Sequence, residues 1–312
     1  MIIIFIKKVI KALQIHIKLI IQYVKYIYSS DKTNTIDNSI IEQNHKNICN
    51  IIYNNIAENG GGVYIRAGDV NLSNNFIVNN TAQKGGGIYI GEQPDLTMHN
   101  NVIAENIATS SSGGGGLNVN NSGDDDNFSI KYNSFVKDTA NEKGAAIIYQ
   151  HSNTNAPLQY NLFYKNVIQS SSTTGPISNT VYISNNTSPI INYNNIINNS
   201  PSYFIYNENT YSGTSLNAEN NYWGTTSSSS IASKIYDWSE ESTKGTVDYN
   251  PFSNSLITTA PISPPTNTSA SAGSSSFTLS WSANSESDLT GYKVYWDTDS
   301  GHPYANVQDV GN

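Results

Sequence analysis

The stretch A-E-N-G-G-G-V-Y-I at 57–65 returns as A-Q-K-G-G-G-I-Y-I at 82–90. Glycine loses the most backbone entropy on ordering, so three in a row mark a place where positive φ or close backbone approach is required. A corner followed by a short strand, written twice, is the signature of a repeat architecture, and the repeat constrains the fold more than any other feature.

Alignment on the Asn before each apolar pair gives blocks at Asn50, Asn75, Asn101, Asn133, Asn161, Asn194 and Asn221, spaced by 25, 26, 32, 28, 33 and 27 residues. Two residues after each anchor stand Ile52, Ile77, Ile103, Phe135, Phe163, Ile196 and Trp223, all large and apolar. Five after it stand Asn55, Asn80, Asn106, Asp138, Asn166, Asn199 and then Thr226. Three before it, from the second block on, come Leu72, Met98, Ile130, Leu158, Ile191 and Ala218. Between anchors run Val63-Tyr64-Ile65, Ile88-Tyr89-Ile90, Leu117-Asn118-Val119, Ile147-Ile148-Tyr149 and Val181-Tyr182-Ile183. Their outer positions are mostly apolar, as in a strand with one buried face.

Each unit therefore carries about three short strands separated by corners. No unit can bury its apolar face alone, so the units stack. The expectation is an all-β chain built on a parallel β-helix of about seven coils, roughly 34 Å long at one strand spacing per coil. Corners take Gly, or Asn and Asp, whose short side chains tolerate left-handed geometry. Equivalent Asn side chains on successive coils then form hydrogen-bonded ladders. Val63, Ile65, Ile88 and Ile90 enter the core, while Tyr64 and Tyr89 point outward. The long units 101–133 and 161–194 place their extra residues in surface loops.

The phased motifs resemble a known family. I-V-x-N followed by G-G-G-I-Y-I is similar to the F-x-x-N and G-G-A-I repeats of right-handed parallel β-helix surface proteins. Polymorphic outer-membrane proteins and autotransporter passengers, within the pectate-lyase-like superfamily, are of this kind. N-N-Y-W-G at 220–224 with V-D-Y-N-P-F at 247–252 resembles the closing segment of secreted bacterial β-helix proteins. The resemblance implies a right-handed, single-stranded β-helix over residues 31–254 and a secreted or cell-surface location. It does not imply one activity, because adhesins, lyases, hydrolases and inert stalks share the fold.

The flanking regions differ in kind. Residues 1–30 place Lys7, Lys11, Gln14, Lys18, Gln22 and Lys25 on one helical face among Ile, Val, Leu and Tyr, which predicts an amphipathic helix or leader. The lysines interrupt any transmembrane run, and a signal-peptide pattern is missing, so membrane contact is expected only through this segment. Residues 255–267, rich in Thr and Pro, read as a linker. In 268–312, Phe277, Leu279 and Trp281 alternate, as do Tyr292, Val294 and Trp296, which predicts part of a β-sandwich. This segment resembles the N-terminal half of a fibronectin type III domain, with Trp281 matching its core Trp and G-Y-K-V-Y its third strand.

Composition excludes some functions. The net charge is −8 and the only Arg is Arg66, so nucleic acid is not an expected partner. The single Cys, Cys49, leaves no internal disulfide and suits a core position.

Chemistry is sparse. For the lyase branch, the resemblance implies a cationic base beside acidic calcium ligands. Arg66, with Asp69 nearby, is a candidate, against the plainer reading of a surface charge at a strand end. The polygalacturonase arrangement of paired Asp with Gly-His-Gly is absent. His99 and His151 stand singly near corners. Asp124, Asp125 and Asp126 supply oxygens of the kind Ca²⁺ takes, although their consecutive spacing equally suits a solvated acidic loop; no other cofactor is expected. Lys137 and Lys165 share one corner row, at four residues past the anchor. Tyr64, Tyr89 and Tyr182, with Arg66, are candidates for stacking on extracellular polysaccharide or cell-surface glycan, against simple cross-strand stabilisation. The expected function is a non-catalytic adhesin, stalk or glycan-contacting module. The alternative is a polysaccharide lyase or glycoside hydrolase, which a convergent set of carboxylates with Lys or Arg would favour.

Overall fold

A computed structural model describes residues 3–7, 16–18, 50–67, 70–93, 95–121, 128–151, 156–170, 178–184, 186–210, 213, 215–272, 276–287, 289–296 and 306–311. The chain divides into two compact units, Lys25–Pro261 and Met1–Val24 with Ile262–Asn312.

The larger unit is a parallel β-solenoid of about six turns. Its strands stack into a six-stranded sheet that starts at Ile51–Tyr53, Phe76–Val78 and Val102–Ala104 and ends at Asn195–Ile197. A seven-stranded sheet runs from Val63–Ala67 and Ile88–Gln93 to Ile235–Tyr236. A four-stranded sheet runs from Val70–Ser73 to Leu158–Gln159. A five-stranded sheet runs from Ile56–Asn59 to Val167–Ile168. Most coils thus hold four strands, one more than the sequence pattern indicates. The extra one shrinks to two residues, as in Ile107–Ala108 and Thr139–Ala140, too short for an alternation to be read. The anchor block at Asn221 joins the six-stranded sheet only through a bridge between Asn195 and Tyr222.

The predicted column is present. Ile52, Ile77, Ile103, Phe135, Phe163 and Ile196 are paired in register from coil to coil. All but Ile52 are at most 2 % exposed, and Phe135 and Phe163 stack with ring centroids 5.3 Å apart. A one-residue slip would turn this column to solvent, so burial of one face fixes the register.

Two amide ladders hold the corners on either side of that sheet. In the first, Asn75 Nδ2 donates to Asn101 Oδ1 at 3.0 Å, Asn101 to Asn133 at 2.9 Å, Asn133 to Asn161 at 3.2 Å, Asn161 to Asn194 at 3.1 Å and Asn194 to Asn221 at 3.0 Å. Each accepting Oδ1 also takes the backbone N–H of the preceding Asn. These buried side chains are hydrogen-bonded throughout, which is what permits an Asn row beside an apolar core. The second ladder is Asn55, Asn80, Asn106, Asp138, Asn166 and Asn199.

The triple glycines divide the labour. The first of each, Gly60 and Gly85, has φ +61° and makes the corner. The other two allow close approach: a Cβ on Gly61 would lie 2.4 Å from Gly86 O, and one on Gly87 would lie 2.6 Å from Gly116 O. At the C-terminal end the helix Ser228–Ala232, capped by the Ser227 side chain, inserts Ile231 into the core beside Trp223 and Ile235.

In the smaller unit, Thr266–Ala272 pairs antiparallel with Phe277–Ser282, and Tyr292–Trp296 with Asn306–Gly311. Leu289 and Tyr292 are buried against Ile262, Leu279 and Trp281. Within the segment 1–30, where an amphipathic helix is expected, the described pieces Ile3–Lys7 and His16–Lys18 are strands, paired with each other and with Tyr292–Trp296. The rest of that segment, and Cys49, lie outside the described residues.

Candidate functional site

Around the anchor, two corner rows run the length of the solenoid in left-handed geometry. Four residues after the anchor stand Asn54, Asn79, Glu105, Lys137, Lys165 and Asn198, with φ between 53° and 59°. One residue before it stand Asn74, Asn100, Tyr132, Tyr160, Tyr193 and Asn220, with φ between 55° and 59°. Asparagine is the ordinary occupant of such a position, and larger L-residues pay about 1–2 kcal/mol there. The second row nevertheless carries three tyrosines on consecutive coils.

Those tyrosines form an exposed stack. The Tyr132 and Tyr160 ring centroids are 5.1 Å apart at 14°, and those of Tyr160 and Tyr193 are 5.1 Å apart at 7°. Tyr132 is 38 % and Tyr193 37 % exposed. Partial desolvation, then repulsion from its two phenol neighbours, raises the Tyr160 hydroxyl above its ordinary range, so it stays protonated at neutral pH. Lys131 and Gln159, which directly precede Tyr132 and Tyr160, are in register along the four-stranded sheet, and His99 holds the same place before Asn100 on the preceding coil. The chain here offers a line of hydroxyls and ring edges flanked by hydrogen-bonding side chains.

The tyrosines singled out from sequence share one outward row of the seven-stranded sheet: Tyr64, Tyr89, Asn118, Ile148, Tyr182, Tyr206 and Tyr236. Asn118 and Ile148 split the row in two. Tyr64 and Tyr89 rings lie 5.3 Å apart, and Tyr89 OH accepts from Asn120 Nδ2 at 2.9 Å. Tyr182, Tyr206 and Tyr236 stack at 5.2 and 4.7 Å. Tyr182 donates to Glu208 Oε2, while Lys143 Nζ lies 3.4 Å from its hydroxyl and 4.5 Å from its ring centre. Desolvation first, then the hydrogen bond and charge of Glu208, pushes the Tyr182 phenol well above its ordinary range. Tyr89 and Tyr182 are buried. This row is thus an outer core rather than an open platform, and the Lys143–Tyr182–Glu208 cluster offers its phenol to Glu208, not to solvent.

Arg66 is exposed at the end of Val63–Ala67, two residues past Tyr64 on the same outward face. Lys137 and Lys165 do share a corner row; Lys137 pairs with Glu105 at 3.5 Å and Lys165 sits 5.1 Å from the Tyr164 ring centre. His99 is partly exposed and His151 buried, its ring 4.2 Å from that of Phe128. Asp124, Asp125, Asp126 and Asp69 lie outside the described residues. Among the described residues no group of three His, Cys, Asp or Glu is placed to hold a metal, and no helix is long and apolar enough to cross a membrane.

The sequence reading passed over Tyr132, Tyr160 and Tyr193, although each directly precedes its anchor Asn133, Asn161 or Asn194. Alignment of that one position would have shown three consecutive tyrosines in a row that carries Asn at 74, 100 and 220. Compared with known proteins, the chain matches no family model, no curated protein and no solved structure.

Proposed function

We propose that this chain is a secreted or cell-surface, non-catalytic β-helix protein that contacts extracellular glycan, acting as an adhesin or a glycan-contacting stalk. The solenoid is read as right-handed and pectate-lyase-like, and the smaller unit as fibronectin type III-like; the edge contact of Trp281 on Tyr292, 5.2 Å between ring centres, supports the latter.

The observation that carries the reading is the exposed stack of Tyr132, Tyr160 and Tyr193. Three left-handed tyrosines cost about 3–6 kcal/mol in backbone strain. Their two stacked pairs return about 1–3 kcal/mol. The row's own asparagines would hold the corner at less strain. Strain kept at the surface beyond what the stacking returns is the pattern of residues retained for contact. An array of amphipathic rings and hydroxyls suits a polyhydroxylated ligand, whose C–H faces and hydroxyls match both halves of a tyrosine.

The test is retention of the full-length chain on a panel of insoluble polysaccharides, with parallel assays for reducing ends and for unsaturated product on uronic-acid polymers. Retention without product is expected. Absence of retention on every polymer overturns the glycan reading. Product that disappears when Arg66 or Lys165 is replaced overturns the non-catalytic one.

A further inference from the structure

Resting on the glycan reading above, we propose that Tyr132, Tyr160 and Tyr193 form a track for one extended β-linked glycan chain lying parallel to the solenoid axis, with one sugar per coil, and that Lys131 and Gln159 flank it as hydrogen-bonding partners.

The ring geometry sets the direction. Interplanar angles of 14° and 7° mean that the rings are nearly parallel, and each inner face is covered by the next ring. Only the outer faces of Tyr132 and Tyr193 remain uncovered within the stack, and the row continues there as Asn100 and Asn220. A sugar cannot lie flat between the rings. What solvent meets is a line of ring edges and hydroxyls advancing 5.1 Å per coil. An extended β-linked pyranose chain advances by nearly the same length per sugar, so successive sugars would meet equivalent hydroxyls without losing step. A coiled α-linked glucan advances much less per sugar and falls out of register after one contact. Lys131 and Gln159 are paired partners in the adjoining sheet and so keep the same step. They add a cation and an amide next to Tyr132 and Tyr160, which suits ring and hydroxyl oxygens as acceptors.

The site is a surface row, not a cleft, so single contacts are weak and affinity arises by addition along the chain. The expected pattern is a steep rise with oligosaccharide length that ends when the tyrosines are used up.

Binding of the full-length chain to β-1,4-linked gluco-oligosaccharides of two to six sugars is to be measured by ligand-observed NMR and calorimetry, with α-1,4-linked malto-oligosaccharides as comparison. Affinity is expected to rise about tenfold from the disaccharide to the trisaccharide, which corresponds to about 1.4 kcal/mol. It is expected to level off beyond that, while the α-linked series stays flat. The variant Tyr132→Asn/Tyr160→Asn/Tyr193→Asn restores the row's own residue, so its far-UV spectrum and melting are expected to persist while the length dependence vanishes. Binding that survives this triple change, or is indifferent to length or linkage, overturns the track and leaves the wider glycan reading standing. Absence of binding to these β-linked sugars overturns the track, and the wider reading falls with it only if the insoluble panel also fails.

Discussion

Asp138→Asn is expected to stabilise the protein, by an amount that grows with pH. Asp138 is the one carboxylate in the second ladder and is fully buried. Its Oδ1 accepts from Asn106 N and Asn106 Nδ2, both at 2.9 Å. Its Oδ2 has no hydrogen-bond partner. On the neighbouring coils that second side-chain atom is an amide nitrogen with two acceptors: Asn106 Nδ2 donates to Asp138 Oδ1 and to Ile77 O, both at 2.9 Å. Register places Asn166 Oδ1 and Ile103 O as the equivalent acceptors for residue 138. Burial, partly opposed by the bonds from Asn106, raises the Asp138 carboxyl well above the ordinary range. The folded state thus holds the proton more tightly than the unfolded chain. Stability from this group is greatest below the unfolded value of about 3.9 and declines as pH rises toward the raised folded value. Asparagine restores two hydrogen bonds at about 1 kcal/mol each and removes an unpaired buried oxygen worth about 1–3 kcal/mol. The gain is expected to be about 3–5 kcal/mol at pH 8 and about 1 kcal/mol near pH 4, where the neutral acid donates one bond itself. For a unit of this size that is a rise of about 6–20 °C in Tm at pH 8. Calorimetric melts of both proteins from pH 4 to 8 measure it. A variant less stable at pH 8, or a difference that does not change with pH, would refute the reasoning.

Phe135→Ala, at the centre of the inner column, is expected to lose about 3–5 kcal/mol in denaturant melts; a loss below about 1 kcal/mol would mean the ring is not buried. Gly87→Ala is expected to lose about 1–3 kcal/mol, because the new Cβ would lie 2.6 Å from Gly116 O, a backbone atom that can move only with its coil. Asn133→Ala removes donors to Asn161 Oδ1, Met98 O and Lys131 O and the acceptor for Asn101, so a loss of at least about 3 kcal/mol is expected in the same melts.

What could be read from sequence follows from how a solenoid is determined. An inward residue is constrained by the identical place on the next coil. Ile77, Ile103 and Phe135, or Asn75, Asn101 and Asn133, therefore recur as types at a fixed offset, and the period exposes them. The five-stranded sheet escaped because its inward position is a single small residue, Ala82, Ala108 or Ala140, which leaves no alternation to detect. An outward residue answers to whatever covers it. Tyr182 points outward as expected, but Glu208 and Lys143, which occupy its hydroxyl, stand 26 and 39 residues away in sequence. No local pattern announces that cover. The corner before the anchor is the opposite case, since its backbone is fixed by the repeat while its side chain is free. Asn satisfies the backbone at Asn74, Asn100 and Asn220, so Tyr at 132, 160 and 193 is not demanded by the fold. In a chain whose inward positions are set by periodicity, the informative positions for function are those where the backbone keeps the period and the side chain breaks it.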